Sequence, residues 1–416
     1  MKLGERTILH SDMICFYASV EMMLDPSLRG KAVAVCGSTE NRHGIVLAKS
    51  ELAKRAGVKT GMVNWEARQC CPNLIMVKPQ YEQYLKYSEL ARNIYQRYTD
   101  QVEPYGMDEC WLDVTASEKL FGSDREIAYK IKERVKKELG ITLSVGVSFN
   151  KTFAKLGSDM KKPDAITVIR RSEFKEKIWN LPACDMLWVG RSTYKTLKRY
   201  GILTIGDIAK TPVDTLVSLL GKNGELLWKC ANGYENSEVS DFLSTPEIKS
   251  VGRGITLVSD ITENDEIYRV ILSLSHEVSR ELRKHRLSAG GVQISVKSNE
   301  LKSVQFQKKT NFLTQNAREI SDLAFSLFDE RYDRELPVRA ISVRAFDLLE
   351  SDCAVQLDMF FDIEKHIKRE KIEKAMLSIN EKYGKNTVKE ATLFCDTKMP
   401  KGKTDCILLP KSKVMG

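Results

Sequence analysis

Residues 7–21 read TILHSDMICFYASVE. Thr7 to Met13 has the apolar content and length of a short buried strand, and Phe16 to Glu21 opens a helix directly after it. Asp12 therefore closes a strand that should be largely buried. A second acidic group, Asp108-Glu109, follows Tyr105-Gly106-Met107 and precedes the strand-like Trp111-Leu112-Asp113-Val114. An isolated Asp-Glu pair is usually only solvated. Placed between a turn and a strand, it can join Asp12, and three carboxylates on adjacent strands can hold two divalent cations about 4 Å apart. That arrangement suits nucleotidyl transfer.

Around these acids the chain alternates strand and helix patterns to about residue 170, with no internal repeat. Val33-Ala34-Val35-Cys36, Ile45-Val46-Leu47-Ala48 and Leu143 to Ser148 read as strands. Helices are expected at Ser50 to Arg55, stopped by Gly57, at Tyr81 to Tyr98 and at Arg125 to Leu139. This part is an α/β domain with a mixed or antiparallel sheet. From Leu181 to about Glu235 the pattern changes to short helices joined by glycine turns. Gly190 and Gly201 flank one helix, and Gly221 and Gly233 flank another. Such hairpins can turn backbone N–H groups toward a phosphate, although simple glycine caps of a small bundle would read the same way. Residues 236–249 form a polar linker. Beyond it, Gly291 to Lys297 and Val304 to Lys308 alternate apolar residues with Gln, Ser and Lys, and helices near 265–284 and 317–328 could cover the apolar side. This is an α+β domain whose other face is either solvated or laid along a nucleic-acid backbone.

Composition narrows the classes. The 416 residues exceed one ordinary core, so several domains are expected. With 42% hydrophobic and 29% charged residues the chain has the profile of a soluble globular protein. No apolar run approaches a membrane span and the N-terminus lacks a signal-peptide core, so no membrane partner and a cytoplasmic location are expected. The ten cysteines show no C-x-x-C and the five histidines no H-E-x-x-H, which leaves any catalytic metal to carboxylates. The net charge of +9, concentrated between residues 151 and 240, is compatible with a polyanion partner but does not identify one.

Three segments carry a more specific signal: HSDMICFYASVE at 10–21, YGMDECWLDVT at 105–115 and SVGVSFNKTFAKLGSDMKKP at 144–163. In order and spacing they resemble the signatures of the Y-family translesion DNA polymerases, the DinB and UmuC group. The resemblance runs from about residue 5 to 350. It implies a right-hand polymerase, α/β and α+β multidomain, with a palm at 1–28 and 78–172, small fingers at 29–77, a helix-hairpin-helix thumb at 173–236 and a little finger at 248–350. It implies an error-prone, template-directed enzyme that adds dNTPs to a primer 3′ end without proofreading. Two Mg²⁺ ions, with Mn²⁺ as a substitute, would be held by Asp12, Asp108, Glu109 and the main-chain carbonyl of Met13. Phe16, Tyr17, Lys54 and Lys162 would contact the nucleotide, Tyr17 as the steric gate against a ribose 2′-OH and Lys162 at the triphosphate. Read without the resemblance, Tyr17 is a packed core aromatic.

The sequence departs from the pattern at three positions. Ile14 stands where DinB-type members repeat an Asp, Glu51 where many relatives place a Tyr that contacts the triphosphate, and Lys54 where many place an Arg. A lysine keeps the charge but not the paired contacts of a guanidinium, and Glu51 would repel a phosphate. Lys54 and the run GIVLAKSELAKRAGVKTGM make the fingers look closer to the UmuC-like branch. DNA contacts are expected at Gly190 and Gly221 of the hairpins and at Arg253. In the tail, 351–416, Gln356, Leu357, Met359 and Phe360 resemble the peptide that docks bacterial polymerases on the sliding clamp, apolar anchors entering a groove while the Gln amide supplies hydrogen bonds. Alternatively those residues fold back on the little finger. The expected partners are primer-template DNA, dNTP and clamp, with the protein itself a monomer. Two other classes share parts of this pattern, a non-catalytic DNA- and clamp-binding relative and a nucleotidyl cyclase. The complete acidic set counts against the first, and the thumb hairpins and clamp peptide against the second.

Overall fold

The computed structural model describes residues 6–38, 44–244, 247–351, 362–384, 387–395 and 397–400. The chain separates into two compact units, the first made chiefly of residues 45–246 with the N-terminal 37, the second of residues 247–404.

At the centre of the first unit lies a five-stranded sheet in the order Val102–Pro104, Glu109–Asp113, Ile8–Met13, Leu143–Ser148, Ile166–Ile169. Its pairings are antiparallel except for the last, which is parallel. All six residues of Ile8–Met13 are buried, because both faces of this central strand are covered. On one side Leu9, Leu112, Val145 and Val147 pack with Ile94, Ile127 and Ile131 of the helices Tyr81–Tyr95 and Asp124–Leu139. On the other, Ile8 and Trp111 meet Ala154 of the helix Lys151–Met160. Side chains alternate along a strand, so Asp12 shares the face of Ile8 and His10 and points toward that last helix.

One glycine sets how close the helix comes. A Cβ on Gly146 would lie 1.9 Å from the Ala154 carbonyl oxygen and 2.5 Å from the Ser158 nitrogen, so only glycine lets the Lys151–Met160 helix rest on the strand at this distance.

A small sheet, Val46–Lys49, Val33–Cys36 and Ile75–Val77, carries the short helices Glu51–Arg55 and Asn64–Cys70 over its own apolar cluster. Residues 174–231 form five short helices around Leu197, Ile205, Leu216 and Leu227.

The second unit is a four-stranded antiparallel sheet, Ser303–Thr314, Leu287–Ser298, Val338–Glu350, Ser250–Ile261, under the helices Asn264–Lys284 and Ala317–Arg331. The expected period-two pattern holds for Val292, Ile294 and Val296, all in the core. A further helix, Ile363–Tyr383, belongs to the same unit. Glu373 on it is buried and accepts hydrogen bonds from the Ser279 hydroxyl at 2.6 Å and the Ala317 N–H at 3.0 Å, while Arg283 pairs with Glu370 at 2.8 Å. Among the described residues no helix is long and apolar enough to cross a membrane.

Candidate active site

The sheet register brings the acids together. Asp12 pairs directly with Glu109 across the two central strands, and the Met13 N–H donates to the Asp108 carbonyl oxygen at 3.0 Å. Asp12, Asp108 and Glu109 thus meet at one strand end, with the Met13 carbonyl beside them. The helix Phe16–Leu24 starts immediately afterwards, through a turn in which Cys15 takes the left-handed conformation at φ 50°. A non-glycine residue there is strained, and such strain persists only where the surroundings enforce it. The turn sets the free N–H groups of the helix's first turn beside the carboxylates, a ready site for phosphate oxygens. Phe16 is itself buried, so it can reach a nucleotide only through its main chain.

Tyr17 packs at the edge of the first unit's core. Half-buried, it stacks on Tyr84 with centroids 4.3 Å apart and rings 9° from parallel, and its hydroxyl donates to the Met107 sulfur at 3.4 Å. Burial first, then the nearby Asp108 charge, push its hydroxyl up to about 12. Tyr84 is fixed in turn by donating to Glu21, which also accepts from Gln80 at 2.8 Å. The ring is therefore held in place, close enough to Asp108 to feel its charge.

The electrostatics of the acids are uneven. Burial raises Asp108 to about 6, helped by the charges of Glu109 and Asp12. Burial also pushes Glu109 upward, but the neighbouring His10 imidazole and the Lys155 charge outweigh it and hold the group at about 2. Asp12 stays above its ordinary range because burial outweighs its lysine partners. The Lys162 ammonium lies 2.6 Å from Asp12 and 2.9 Å from Asp159. Lys155 lies 3.0 Å from Glu109, 3.0 Å from Asp159 and 3.5 Å from Asp12.

These acids suit hard divalent cations in their donor atoms, and the buried Glu109 Oε2 makes no hydrogen bond, His10 Nε2 approaching it only to 3.5 Å. As the side chains stand, however, no three His, Cys, Asp or Glu groups among the described residues converge into a closed metal cage. Lys155 and Lys162 instead engage Asp12 and Glu109.

Sequence reasoning passed over His10, Lys155 and Asp159. His10 is fully buried behind the acids, with Nε2 3.5 Å from Glu109 and Nδ1 2.9 Å from the Ser158 hydroxyl. The signal for the other two was present: Lys155, Asp159 and Lys162 recur at helical spacing, which puts them on one side of the helix and the residues just after it.

The remaining expected contacts are placed as follows. Glu51 is shared by Lys54 at 3.9 Å and Arg55 at 3.8 Å, so its charge is partly answered on its own helix. Burial and then the Glu51 charge raise the Cys15 thiol, while Lys49, Lys54 and Lys162 lower it, which sets these charges around the Cys15 turn. Gly190 precedes the helix Arg191–Arg199 and Gly221 the helix Lys222–Ala231, and a Cβ on either would meet nothing within 4 Å. Gly221 requires glycine for its φ of 62°, whereas Gly190, at −73°, does not. Arg253, expected as a phosphate contact, lies against the helix Asn264–Lys284. It is 10% exposed and its guanidinium lies between Glu277 at 3.5 Å and Glu281 at 3.6 Å on the covering helix. Gln356, Leu357, Met359 and Phe360 fall outside the described residues.

Comparison with known proteins agrees with this geometry. Residues 11–159 match the impB/mucB/samB family and residues 248–359 its C-terminal domain. A DNA polymerase IV of Acetivibrio thermocellus is 47% identical over 392 residues, covering 94% of this chain and 98% of that protein. The chain belongs to the impB/mucB/samB family, the Y-family translesion DNA polymerases. Another similar relative, DNA polymerase IV 1 of Bacillus subtilis (strain 168), is 37% identical over 399 residues and 95% of each chain. Among solved structures, the Y-family DNA polymerase chimera Dbh-Dpo4(243-245)-Dbh matches with a TM-score of 0.74 and 25% identity, over 83% of this chain and 99% of that one. This Y-family member is a DNA-directed DNA polymerase. The polymerase IV names place it with the DinB-type enzymes and correct the UmuC-like leaning read from its fingers. Lys54 and Glu51 sit on a short, largely exposed helix and answer each other's charge, so they could change together without a change of branch.

Proposed function

We propose that this polymerase extends a primer past damaged template by metal-dependent nucleotidyl transfer at Asp12, Asp108 and Glu109. The observation that carries the reading is the cross-strand pairing of Asp12 with Glu109, with Asp108 adjacent and the first turn of a helix opening beside them. Asp12, Asp108, Glu109 and the Met13 carbonyl are the proposed ligands of two Mg²⁺ or Mn²⁺ ions, whose chemistry when bound is to lower the pKa of the primer hydroxyl and to hold the triphosphate.

The chain's own groups supply the rest. N–H groups of the Phe16–Leu24 helix and the Lys162 ammonium receive triphosphate charge, and Lys54 adds a further positive charge from the fingers. Tyr17, held flat by Tyr84, excludes a 2′-OH by its bulk. Palm, fingers, thumb and little finger are assigned as in the sequence reading. The open glycine hairpins at Gly190 and Gly221 support DNA backbone contact, and Arg253, held between two glutamates, is set aside as a phosphate contact in favour of the polar sheet face near Lys297, Gln307 and Arg344. The Gln356–Phe360 segment is the proposed clamp tether, and the polymerase acts as a monomer. Primer extension by the purified chain on undamaged and abasic templates tests the proposal. Mg²⁺-dependent extension of both supports it, and none on either template contradicts it.

A further inference from the structure

We propose that Lys155 is a built-in counter-ion of the carboxylate site: it holds Asp12 and Glu109 together before divalent cations bind, competes with those cations, and keeps Asp159 as its remaining partner once they arrive. The inference rests on reading Asp12, Asp108 and Glu109 as metal ligands.

Lys155 is only 14% exposed, and its ammonium lies within 3.5 Å of three carboxylates. A buried ammonium is retained only where its partners offset the loss of water. Two of these partners are proposed metal ligands; the third, Asp159, lies one turn further along the same helix and is 42% exposed. Asp159 also binds Lys162, so both lysines share one carboxylate that no metal needs. The helix is pressed against the strand at Gly146, which fixes the helix backbone on either side of Lys155. Among the described residues no lysine pairs with Asp108, and the ligand set does not close into a cage while Lys155 and Lys162 engage its other members. Lys155 is a positioning residue here, acting on the ligands and not on substrate.

Competition fixes the sign of the effect. Removing Lys155 leaves like charges unanswered in the metal-free protein and frees two ligands, so the metal-free state should lose stability while Mn²⁺ binds more tightly. With the full-length protein and Mn²⁺ alone, Lys155→Met should lower the melting temperature in EDTA, regain most of that loss in Mn²⁺, and bind Mn²⁺ roughly fivefold more tightly in calorimetric titration. Asp159→Asn, which turns both lysines wholly onto the ligands, should weaken Mn²⁺ binding by a similar factor. Lys155→Arg keeps the charge and should stay within about threefold of wild type even if Lys155→Met fails to fold. Lys161→Met, removing an exposed lysine that no metal-site contact involves, controls for net charge and should stay within about twofold. Equal losses of melting temperature with and without Mn²⁺, or unchanged or weaker Mn²⁺ binding by Lys155→Met, overturn the proposal. Tight Mn²⁺ binding that survives Asp108→Ala in the wild-type background overturns the ligand assignment beneath it.

Discussion

Replacing Asp108 with Asn should make the metal-free protein more stable while removing its catalysis. Burial, then Glu109 and Asp12, hold the Asp108 carboxyl at about 6 against an ordinary 3.8. A shift of about two units corresponds to roughly 3 kcal/mol between the two protonation states. The sign follows from proton binding. The unfolded chain releases this proton near pH 4 and the folded one near pH 6, so between those values the fold binds more protons and its stability falls as pH rises. Above about pH 6 the full cost is present. Asn keeps the size and shape of the side chain and carries no charge, so Asp108→Asn should exceed wild type by about 1–3 kcal/mol at pH 7.5 in EDTA, with the difference vanishing below about pH 4. Mg²⁺ should close the gap by stabilising wild type alone. Urea unfolding in EDTA from pH 4 to 8, repeated in Mg²⁺, measures both effects. A variant no more stable than wild type at pH 7.5 without metal, or two parallel pH profiles, would refute the reasoning.

Tyr17→Ala should admit ribonucleotides, read as the ratio of ribo- to deoxyribonucleotide incorporation, and should lose about 1 kcal/mol or more of stability with the Tyr84 stack; unchanged discrimination would return Tyr17 to a structural role. Gly190→Ala should leave the melting temperature within a degree or so, since a Cβ meets nothing within 4 Å and φ is ordinary, yet weaken primer-template binding several-fold in a filter or anisotropy assay. Leu357→Ala with Phe360→Ala should leave clamp-free extension unchanged and remove the stimulation given by added clamp, because a tether raises local concentration without adding an active-site contact. A lower clamp-free rate would mean that these residues pack on the body.

Much of the first unit was legible because its central strand and first helix obey simple patterns. Thr7 to Met13 and Phe16 onward were read nearly at the observed bounds of Ile8–Met13 and Phe16–Leu24. What no periodicity could supply was register. That Asp12 faces Glu109 depends on a pairing between strands nearly a hundred residues apart, and only the order of the three motifs hinted at it.

Lys155 was passed over because a lysine on a helix ordinarily reads as solvated, and its burial depends on how closely Gly146 lets that helix approach. The surroundings of Arg253 were hidden for the complementary reason: the glutamates that engage it come from a helix packed over the strand, a contact invisible in local sequence. The docking of the Ile363–Tyr383 helix was not legible because it runs through Glu370, Glu373 and His366, whereas hydrophobic patterning reveals only apolar docking faces.

The central claim is that the acids at this strand end perform the transfer, separately from the surfaces that hold DNA. Single-turnover incorporation of one dNTP in Mg²⁺, measured beside primer-template affinity for wild type, Asp108→Ala and Glu109→Ala, tests it most directly. The account predicts that incorporation by both variants falls by at least about three orders of magnitude while DNA affinity stays within a few fold. Incorporation near the wild-type rate in either variant would contradict it.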